Sequence, residues 1–201
     1  MQLVLDDVEA HAPIVLHPPR MNDDEFYAFC QRYPNFRIER TAKGEVIIRP
    51  PTGGETSYRN SDLNYQLARW TKRDKRGIAF ESNVEFILPS GAARSPDASW
   101  VLRSRLDKLT KSQKRKFLRL CPDFVVELTS PTDRLKQVKT KMREWMENGA
   151  QLAWLLDPDR TTAYIYRPGH EPEERVDPPK LAGESPVKGF TLNLTDIWAG
   201  L

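Results

Sequence analysis

Residues 122–131 read PDFVVELTSP. Phe124 to Leu128 is a short apolar run, which is typical of a strand covered on both faces of a sheet. A single acid, Glu127, interrupts the run. A buried carboxylate must be paired, protonated or bound to a metal ion, because burying it unpaired is very costly. The stretch therefore predicts a central strand that carries either an ion-paired or a functional acid.

The segments that follow predict an α/β fold. We expect a helix over residues 132–148, with Gly149 as its C-cap. Residues 152–156 predict a second buried strand, residues 162–166 the next strand, and the remainder is loop-rich until residues 190–201. The order strand, helix, strand is a βαβ-like unit, which favours a mixed central sheet flanked by helices.

The N-terminal half predicts a short helix and a β-hairpin. Asn22 followed by Glu25 resembles a helix N-cap with its capping acid, and Pro34 ends that helix. Residues 36–40 and 45–49 flank a turn that contains a glycine, which is a hairpin signal.

A longer helix and two strands connect the hairpin to the central strand. Residues 55–72 repeat apolar side chains at helical spacing, which indicates a helix packed on a sheet. Residues 78–88 and 97–102 predict strands, and residues 111–120 predict a helix.

The composition excludes several classes of protein. With 39% hydrophobic and 29% charged residues, the chain of 201 residues is typical of one globular domain, which we assign to residues 21–201. Residues 1–20 carry prolines without a clear period and are interpreted as an arm. No apolar run approaches the roughly 20 residues of a membrane span. Asp6 and Asp7 stand where a signal peptide would carry positive charge, so we expect a cytoplasmic location. The cysteines form no CxxC pair and the histidines lack regular spacing, which disfavours a zinc site.

Two acids lie at the ends of neighbouring predicted strands. Asp97 follows Ser95-Pro96 at the head of one strand, and Glu127 lies near the end of the next. Paired carboxylates are hard oxygen ligands for Mg²⁺ or Mn²⁺, and such an ion polarises a phosphate and supplies a hydroxide nucleophile. The alternative is that each acid only bonds to an arginine or a backbone amide.

Short motifs follow one another in a definite order along the chain. They are Ser95-Pro96-Asp97, the stretch 122–131, Lys141-xxx-Trp145-xxx-Gly149 and residues 154–158 (WLLDP). Their order and spacing resemble the Uma-two family of restriction endonucleases, which belongs to the PD-(D/E)XK nuclease superfamily. Residues 50–56 (PPTGGET) resemble the family's segment before its first core helix.

The resemblance implies a restriction-endonuclease-like fold and hydrolysis of DNA phosphodiester bonds with Mg²⁺ or Mn²⁺. It also implies that Asp97 is the motif aspartate and Glu127 the motif acid, both of which bind the metal ion. The superfamily has a lysine two positions after this acid, whereas this chain has Thr129. Residues two apart on a strand share a face, and a threonine cannot supply the cation of that lysine.

The helix over residues 132–148 offers a replacement for the missing lysine. Lys141 lies beside Trp145 on the flank of the helix's apolar stripe, where its long stem can reach the sheet. Family members resemble this chain at Lys141, which implies a relocated catalytic lysine. The alternative is a surface lysine paired with Glu144.

Further acids and aromatic residues are secondary candidates. Glu55 begins the first core helix, where an acid suits the helix dipole. Some branches of the superfamily place a metal-assisting glutamate there, so Glu55 is also a candidate metal ligand. Glu81 and Glu85 lie in an ordinary strand pattern. Tyr58 has the ring needed to stack on a base, whereas Trp70 suits core packing.

Basic residues are clustered, although the net charge is only +3. Eight basic residues lie from Arg103 to Arg119 against one acid, Asp107. Clustered cations of this kind contact phosphates, and the alternative is a solvated helical face. The residues that we expect to contact DNA are Lys111, Lys114, Arg115 and Lys116. A second cluster consists of Arg69, Lys72, Arg73, Lys75 and Arg76.

These observations predict a Mg²⁺- or Mn²⁺-dependent endonuclease that acts on DNA. The main rival is a catalytically inactive nucleic-acid-binding or interaction module on the same fold, which Thr129 favours. A metal-dependent hydrolase with another substrate is the third possibility, because fold does not fix chemistry. We expect a homodimer, since two copies cut two strands most simply. The apolar pairs Val15-Leu16 and Ile197-Trp198 support that expectation.

Overall fold

The structure is a computed structural model that describes residues 13–201. Its strands are β1 (Ile14–Leu16), β2 (Arg37–Arg40), β3 (Val46–Arg49), β4 (Gly77–Glu81), β5 (Phe86–Ile87), β6 (Ala93–Arg94), β7 (Ala98–Leu102), β8 (Phe124–Leu128), β9 (Leu152–Asp157), β10 (Thr162–Tyr166), β11 (Glu173–Val176), β12 (Lys180–Ala182) and β13 (Thr191–Asn193). Its α-helices are α1 (Asp23–Arg32), α2 (Gly54–Asp74), α3 (Arg103–Leu106), α4 (Lys111–Lys114), α5 (Leu135–Glu147) and α6 (Thr195–Ala199). Most of the predicted arm, including Asp6 and Asp7, lies outside the described residues.

The main sheet has six strands in the order β11-β10-β9-β8-β7-β4. Strands β8 and β9 run parallel, and helix α5 forms the crossover between them. The other neighbouring strands in this sheet are antiparallel. This arrangement confirms the predicted α/β class, the mixed central sheet and the βαβ unit.

Strand β8 separates two hydrophobic cores, because successive side chains of a strand point to opposite faces. Phe124, Val126 and Leu128 pack in the core that helix α2 covers. Val125 packs in the core that helix α5 covers. By the same alternation Glu127 lies on the α5 side of the sheet. The acid is therefore presented to one particular helix.

A second sheet has five strands in the order β1-β3-β2-β6-β5 and contains the predicted hairpin as β2 and β3. Helix α1 packs Phe26 and Phe29 onto this sheet. The predicted capping box begins α1, since Asn22 and Glu25 each accept the other's backbone N–H. Strand β1 pairs with β3, so the predicted arm includes a short edge strand.

The predicted strand 78–88 is wrong as a single element, because it is divided into β4 and β5 in different sheets. The side-chain carboxylate of Glu81 accepts a hydrogen bond from the backbone N–H of Asn83. The backbone carbonyl oxygen of Glu81 accepts one from the backbone N–H of Val84. These bonds turn the chain between the two strands. The region after residue 166 also holds more structure than predicted, namely β11 and β12.

The predicted helix 111–120 is correct only over Lys111–Lys114. Leu118 instead donates its backbone N–H to the Glu85 carbonyl oxygen and accepts that of Ile87. Pairing with β5 therefore replaces the later turns of that helix. Among residues 13–201, no helix combines the length and apolar character that crossing a membrane requires.

Substitution of Gly77 tests the packing between β4 and β7. A Cβ at this position would overlap the buried ring of Trp100 and lie 2.6 Å from the Val101 carbonyl oxygen. We expect Gly77→Ala to lower the free energy of unfolding by about 1–3 kcal/mol, as overpacking does in other cores. Gly54→Ala is the matched control, since nothing lies within 4 Å of its added Cβ. Urea unfolding measures both, and equal stabilities of the two variants would contradict this packing.

Candidate active site

The two predicted acids lie side by side at the end of the main sheet. Ala98 of β7 pairs with Val126 of β8, and one further step of this antiparallel register places Asp97 opposite Glu127. Both acids are buried, with 6% and 5% of their surface exposed. Asp97 Oδ2 also accepts the backbone N–H of Leu128 at 2.8 Å. The structure therefore places the two predicted acids opposite each other at the same end of the sheet.

Both acids line a cleft of about 280 Å³. Its walls come from the end of the main sheet, from α5, from the first turn of α2 and from the end of the hairpin. The residues that line it are Pro13, Arg37, Arg49, Pro50, Pro51, Thr52, Thr56, Asp97, Glu127, Leu128, Ser130, Thr132, Asp133, Gln137, Val138 and Lys141. Cations, hydroxyl groups and carboxylates therefore share one small, partly enclosed space.

Lys141 reaches this cleft from helix α5. Its Nζ lies 2.9 Å from Glu127 Oε1 and 2.8 Å from Glu39 Oε1. Nζ also donates to the carbonyl oxygen of Ser95 at 2.9 Å. The alternative that Lys141 pairs with Glu144 is wrong. Lys141 is instead paired with Glu127.

Trp145 supports the same acid from the next turn of α5. Its Nε1–H donates to Glu127 Oε1 at 2.9 Å. The contacts from Trp145 and Lys141 both go to Oε1, so Oε2 takes part in neither. One helix thus holds Glu127 in place by one oxygen.

Sequence reasoning missed two residues of the hairpin, Arg37 and Glu39. They lie two apart on β2 and therefore share a face. Arg37 donates to Asp97 Oδ1 at 3.3 Å and to the Ser95 carbonyl oxygen at 2.7 Å. The available signal was a strand that carries three charged residues and a single isoleucine. That pattern predicts a hairpin but says nothing about what its charged face contacts.

Buried charges set the ionisation of this region. Burial raises the pKa of Glu127 above its ordinary value, and the negative charge of Asp97 adds to this although Lys141 opposes it. For Glu39 burial also acts upward, but Lys141 and Arg94 outweigh it and hold the pKa well below its usual range. Burial and the charge of Glu39 raise the pKa of Glu85 to about 8. The pKa values of neighbouring carboxyl groups are therefore shifted in opposite directions.

The chain matches a known protein family over most of its length. A family model named Uma2 and described as "Putative restriction endonuclease" matches residues 23–195. The chain belongs to the Uma2 family. This confirms the resemblance found in the sequence. No curated protein matches the chain significantly.

A solved structure shares the fold. It is a crystal structure described as a putative nuclease belonging to DUF820 from Anabaena variabilis, with a TM-score of 0.71. The identity is 22%, and the match covers 89% of this chain and 98% of that chain. At this identity the likeness establishes the architecture, which agrees with the predicted restriction-endonuclease-like fold.

Thr129 departs from the superfamily pattern in the way that the sequence indicated. It is buried, and its hydroxyl group donates to Asp157 Oδ1 at 3.4 Å. Thr129 therefore belongs to a contact between β8 and β9 and brings no cation to the cleft. In this Uma2 chain, the cation beside Glu127 comes from Lys141.

Glu55 is not brought to the cleft, although its neighbour Thr56 lines it. The Glu55 carboxylate accepts from Arg59 at 2.8 Å, and Arg59 also donates to the carbonyl oxygen of Ile197. This pair ties α2 to the C-terminal helix. The position of Glu55 gives no support to its predicted role as a metal ligand.

The chemistry of the acid pair fits a Mg²⁺ or Mn²⁺ ion. Among residues 13–201, no three His, Cys, Asp or Glu side chains form a ready-made metal site. Mg²⁺ commonly takes only one or two carboxylates and completes its shell with water and substrate phosphates. Asp97 and Glu127 match that smaller donor set, and the cleft offers room for the remaining ligands.

The basic segment from Arg103 to Arg119 is only partly free. Lys116 pairs with Asp24 at 2.9 Å, and Arg105 pairs with Asp123 at 2.8 Å. Within residues 13–201, the other predicted phosphate contacts have no ion-pair partner and are exposed: Lys111, Lys114 and Arg115. Tyr58 is 39% exposed, whereas Trp70 packs against Trp100 and Phe190 as predicted.

The raised pKa of Glu85, about 8, predicts a pH dependence of stability. A glutamate in the unfolded chain ionises near pH 4.3, so between about pH 5 and 8 the folded protein binds more protons and stability falls as pH rises. Glu85→Gln cannot ionise. We expect it to make that fall shallower, by up to about 1.4 kcal/mol per pH unit, and to be more stable than the wild type at pH 8.

Urea unfolding at several pH values between 5 and 8 measures this slope. Glu147→Gln is the control, because Glu147 is exposed at the end of α5 and should leave the slope unchanged. Identical slopes for the wild type and Glu85→Gln would show that Glu85 ionises normally.

Proposed function

We propose that this protein is a Mg²⁺- or Mn²⁺-dependent endonuclease that hydrolyses phosphodiester bonds of DNA. The observation that carries the proposal is the convergence of Asp97, Glu127 and Lys141 in one cleft. Membership of a family described as restriction endonucleases supports a nucleic-acid substrate. Two acids and a lysine that line one cleft match the needs of phosphodiester hydrolysis.

Each residue has a distinct role in the proposed reaction. Asp97 and Glu127 would hold the ion, and a bound ion would supply the charge that polarises the phosphate and activates a water molecule. Lys141 stabilises the negative charge that develops on the phosphate in the transition state. Arg37 and Arg49 line the same cleft, where their positive charges would attract the phosphate backbone of DNA.

The rival is a nucleic-acid-binding module that kept the fold and lost turnover. Thr129 favours it, because the usual position of the catalytic lysine is empty of charge. The presence of Asp97, Glu127 and Lys141 together in one cleft weighs against it. Assays with metal ion and DNA separate the two.

We predict that one divalent ion binds at the acid pair. Calorimetry with Mn²⁺ should show one site, and Asp97→Ala and Glu127→Ala should each abolish it. Glu55→Ala is the matched control and should keep the site, because its carboxylate is engaged by Arg59. Unchanged Mn²⁺ binding in folded Asp97→Ala and Glu127→Ala would rule the site out.

Lys141→Ala should bind DNA nearly as well as the wild type and fail to cut it, since a group that acts on the transition state affects turnover.

We also predict that the basic segment governs affinity for DNA. Each phosphate neutralised contributes about −0.9 to the slope of log affinity against log salt concentration on duplex DNA. Alanine at Lys111, Lys114, Arg115 and Lys116 should therefore flatten that slope in fluorescence anisotropy and weaken all sequences alike.

The second basic cluster provides a charge-matched control on the other face of the main sheet. Helix α2 packs in one core, whereas Leu106 and Leu118 of the basic segment pack in the other. Alanine at Arg69, Lys72, Arg73 and Lys75 should leave the slope close to that of the wild type. If this set flattens the slope and the first does not, DNA lies on the α2 face instead.

We propose that the active form is a homodimer, because one site cuts one strand. Ile197 is buried and Trp198 packs against the core, so they offer no free apolar pair, whereas Val15 is 47% exposed on β1. Light scattering at micromolar concentration should give twice the mass of the chain. A monomeric mass would refute the dimer.

A further inference from the structure

Lys141 is held by more than its contact with the motif acid. An ammonium group has three N–H donors. The Nζ of Lys141 has one neighbour for each donor: Glu39 Oε1 at 2.8 Å, Glu127 Oε1 at 2.9 Å and the Ser95 carbonyl oxygen at 2.9 Å. A flexible side chain from a helix is thus fixed at one point beside the sheet.

Glu39 is built to hold a cation and not to meet a substrate. It is 0% exposed and is absent from the residues that line the cleft. Its Oε1 also accepts the backbone N–H of Ser95 at 3.1 Å. Glu39 therefore acts on the cleft only through the groups that it binds.

The surroundings of Glu39 keep its negative charge in place. Arg94 Nη1 lies 3.5 Å from Glu39 Oε2, and Arg94 Nε is bonded to Glu144 of α5 at 2.6 Å. The same helix carries Lys141, so one charged network ties β2 of the second sheet to α5. Buried ionic networks of this kind contribute little net stability compared with apolar packing. Stability alone does not account for Glu39.

We propose that Glu39 is the positioning residue of this site, which holds the Lys141 ammonium beside Glu127. The inference rests on the proposed function, because it assigns Lys141 a role in the reaction. The bond from Lys141 to Glu127 is the one open to exchange when Glu127 takes another partner. The bonds to Glu39 and to the Ser95 carbonyl then keep the ammonium group at the cleft, with one donor free for a phosphate oxygen.

A double-mutant cycle tests the proposal. Glu39→Gln preserves the shape and an acceptor oxygen but removes the charge. We expect kcat to fall about 10- to 100-fold, as is usual when a supporting partner of a metal-site group is lost. KM for DNA and Mn²⁺ binding by calorimetry should change little. In a Lys141→Met background, Glu39→Gln should have no further effect on cleavage, because both changes remove the same function.

The matched control is Glu85→Gln, which removes another buried carboxyl group that contacts Ser95 but not Lys141. It should cleave at the wild-type rate. Equal losses in Glu39→Gln and Glu85→Gln, or a full further loss in the Lys141→Met background, would mean that Glu39 acts only on the general structure. If Glu39→Gln does not fold, Glu39→Asp keeps the charge for Arg94 and withdraws the carboxylate by one methylene, with the same expected result.

A spectroscopic measurement separates this proposal from the proposed function. In protein labelled with ¹⁵N-lysine, an ammonium group held by three acceptors exchanges its protons slowly, and the Lys141 signal is assigned by its loss in Lys141→Met. Glu39→Gln replaces a charged acceptor by a weaker neutral one, so the signal should broaden or vanish in this variant and persist in Glu85→Gln. A wild type that never cuts DNA would defeat the nuclease proposal while this signal still decides the role of Glu39. An unchanged Lys141 signal in Glu39→Gln would overturn the positioning role.

Discussion

Three carboxyl groups are buried where the two sheets meet, and their burial determines how the elements around them are arranged. Glu39, Asp97 and Glu127 are each at most 6% exposed. Such groups persist as anions only when cations and backbone donors surround them. Lys141 and Arg37 provide those cations and come from α5 and from the hairpin, respectively. The acids can therefore be buried only if the hairpin and α5 both dock beside them, so the positions of these elements depend on one another.

Strand β8 shows how much of this fold is written locally. Its apolar run and the βαβ pattern after it were sufficient to predict a buried central strand and a parallel neighbour, since both depend on period and order. The capping box at Asn22 is likewise a local signal and was correct. The prediction of a helix over residues 111–120 failed because Leu118 forms backbone hydrogen bonds with the chain at β5 and not within a helix. Those bonds depend on a strand that is distant in the sequence.

The candidate site divides in the same way. Asp97 and Glu127 could be found because each stands out against its own segment, an acid at a strand head and an acid in an apolar run. Glu39 could not be found, because a strand that carries a glutamate between arginines is typical of an ordinary solvent-exposed hairpin. Only the docking of one sheet on the other shows that this face of β2 is buried against Lys141.

The cation beside Glu127 comes from α5 and not from position 129, and this explains why the second sheet takes part in the candidate site. A lysine at the Thr129 position would share a face with Glu127 and would be held by the strand itself. A lysine on α5 reaches the acid through a long stem that is free to rotate, and holding such a stem in one position costs side-chain entropy. An anion on the far side of the ammonium group offsets that cost. Glu39 supplies this anion, and the strand that carries it also carries Arg37, which meets Asp97. A cation supplied from a helix thus requires a partner supplied from elsewhere, and here that partner comes from the hairpin.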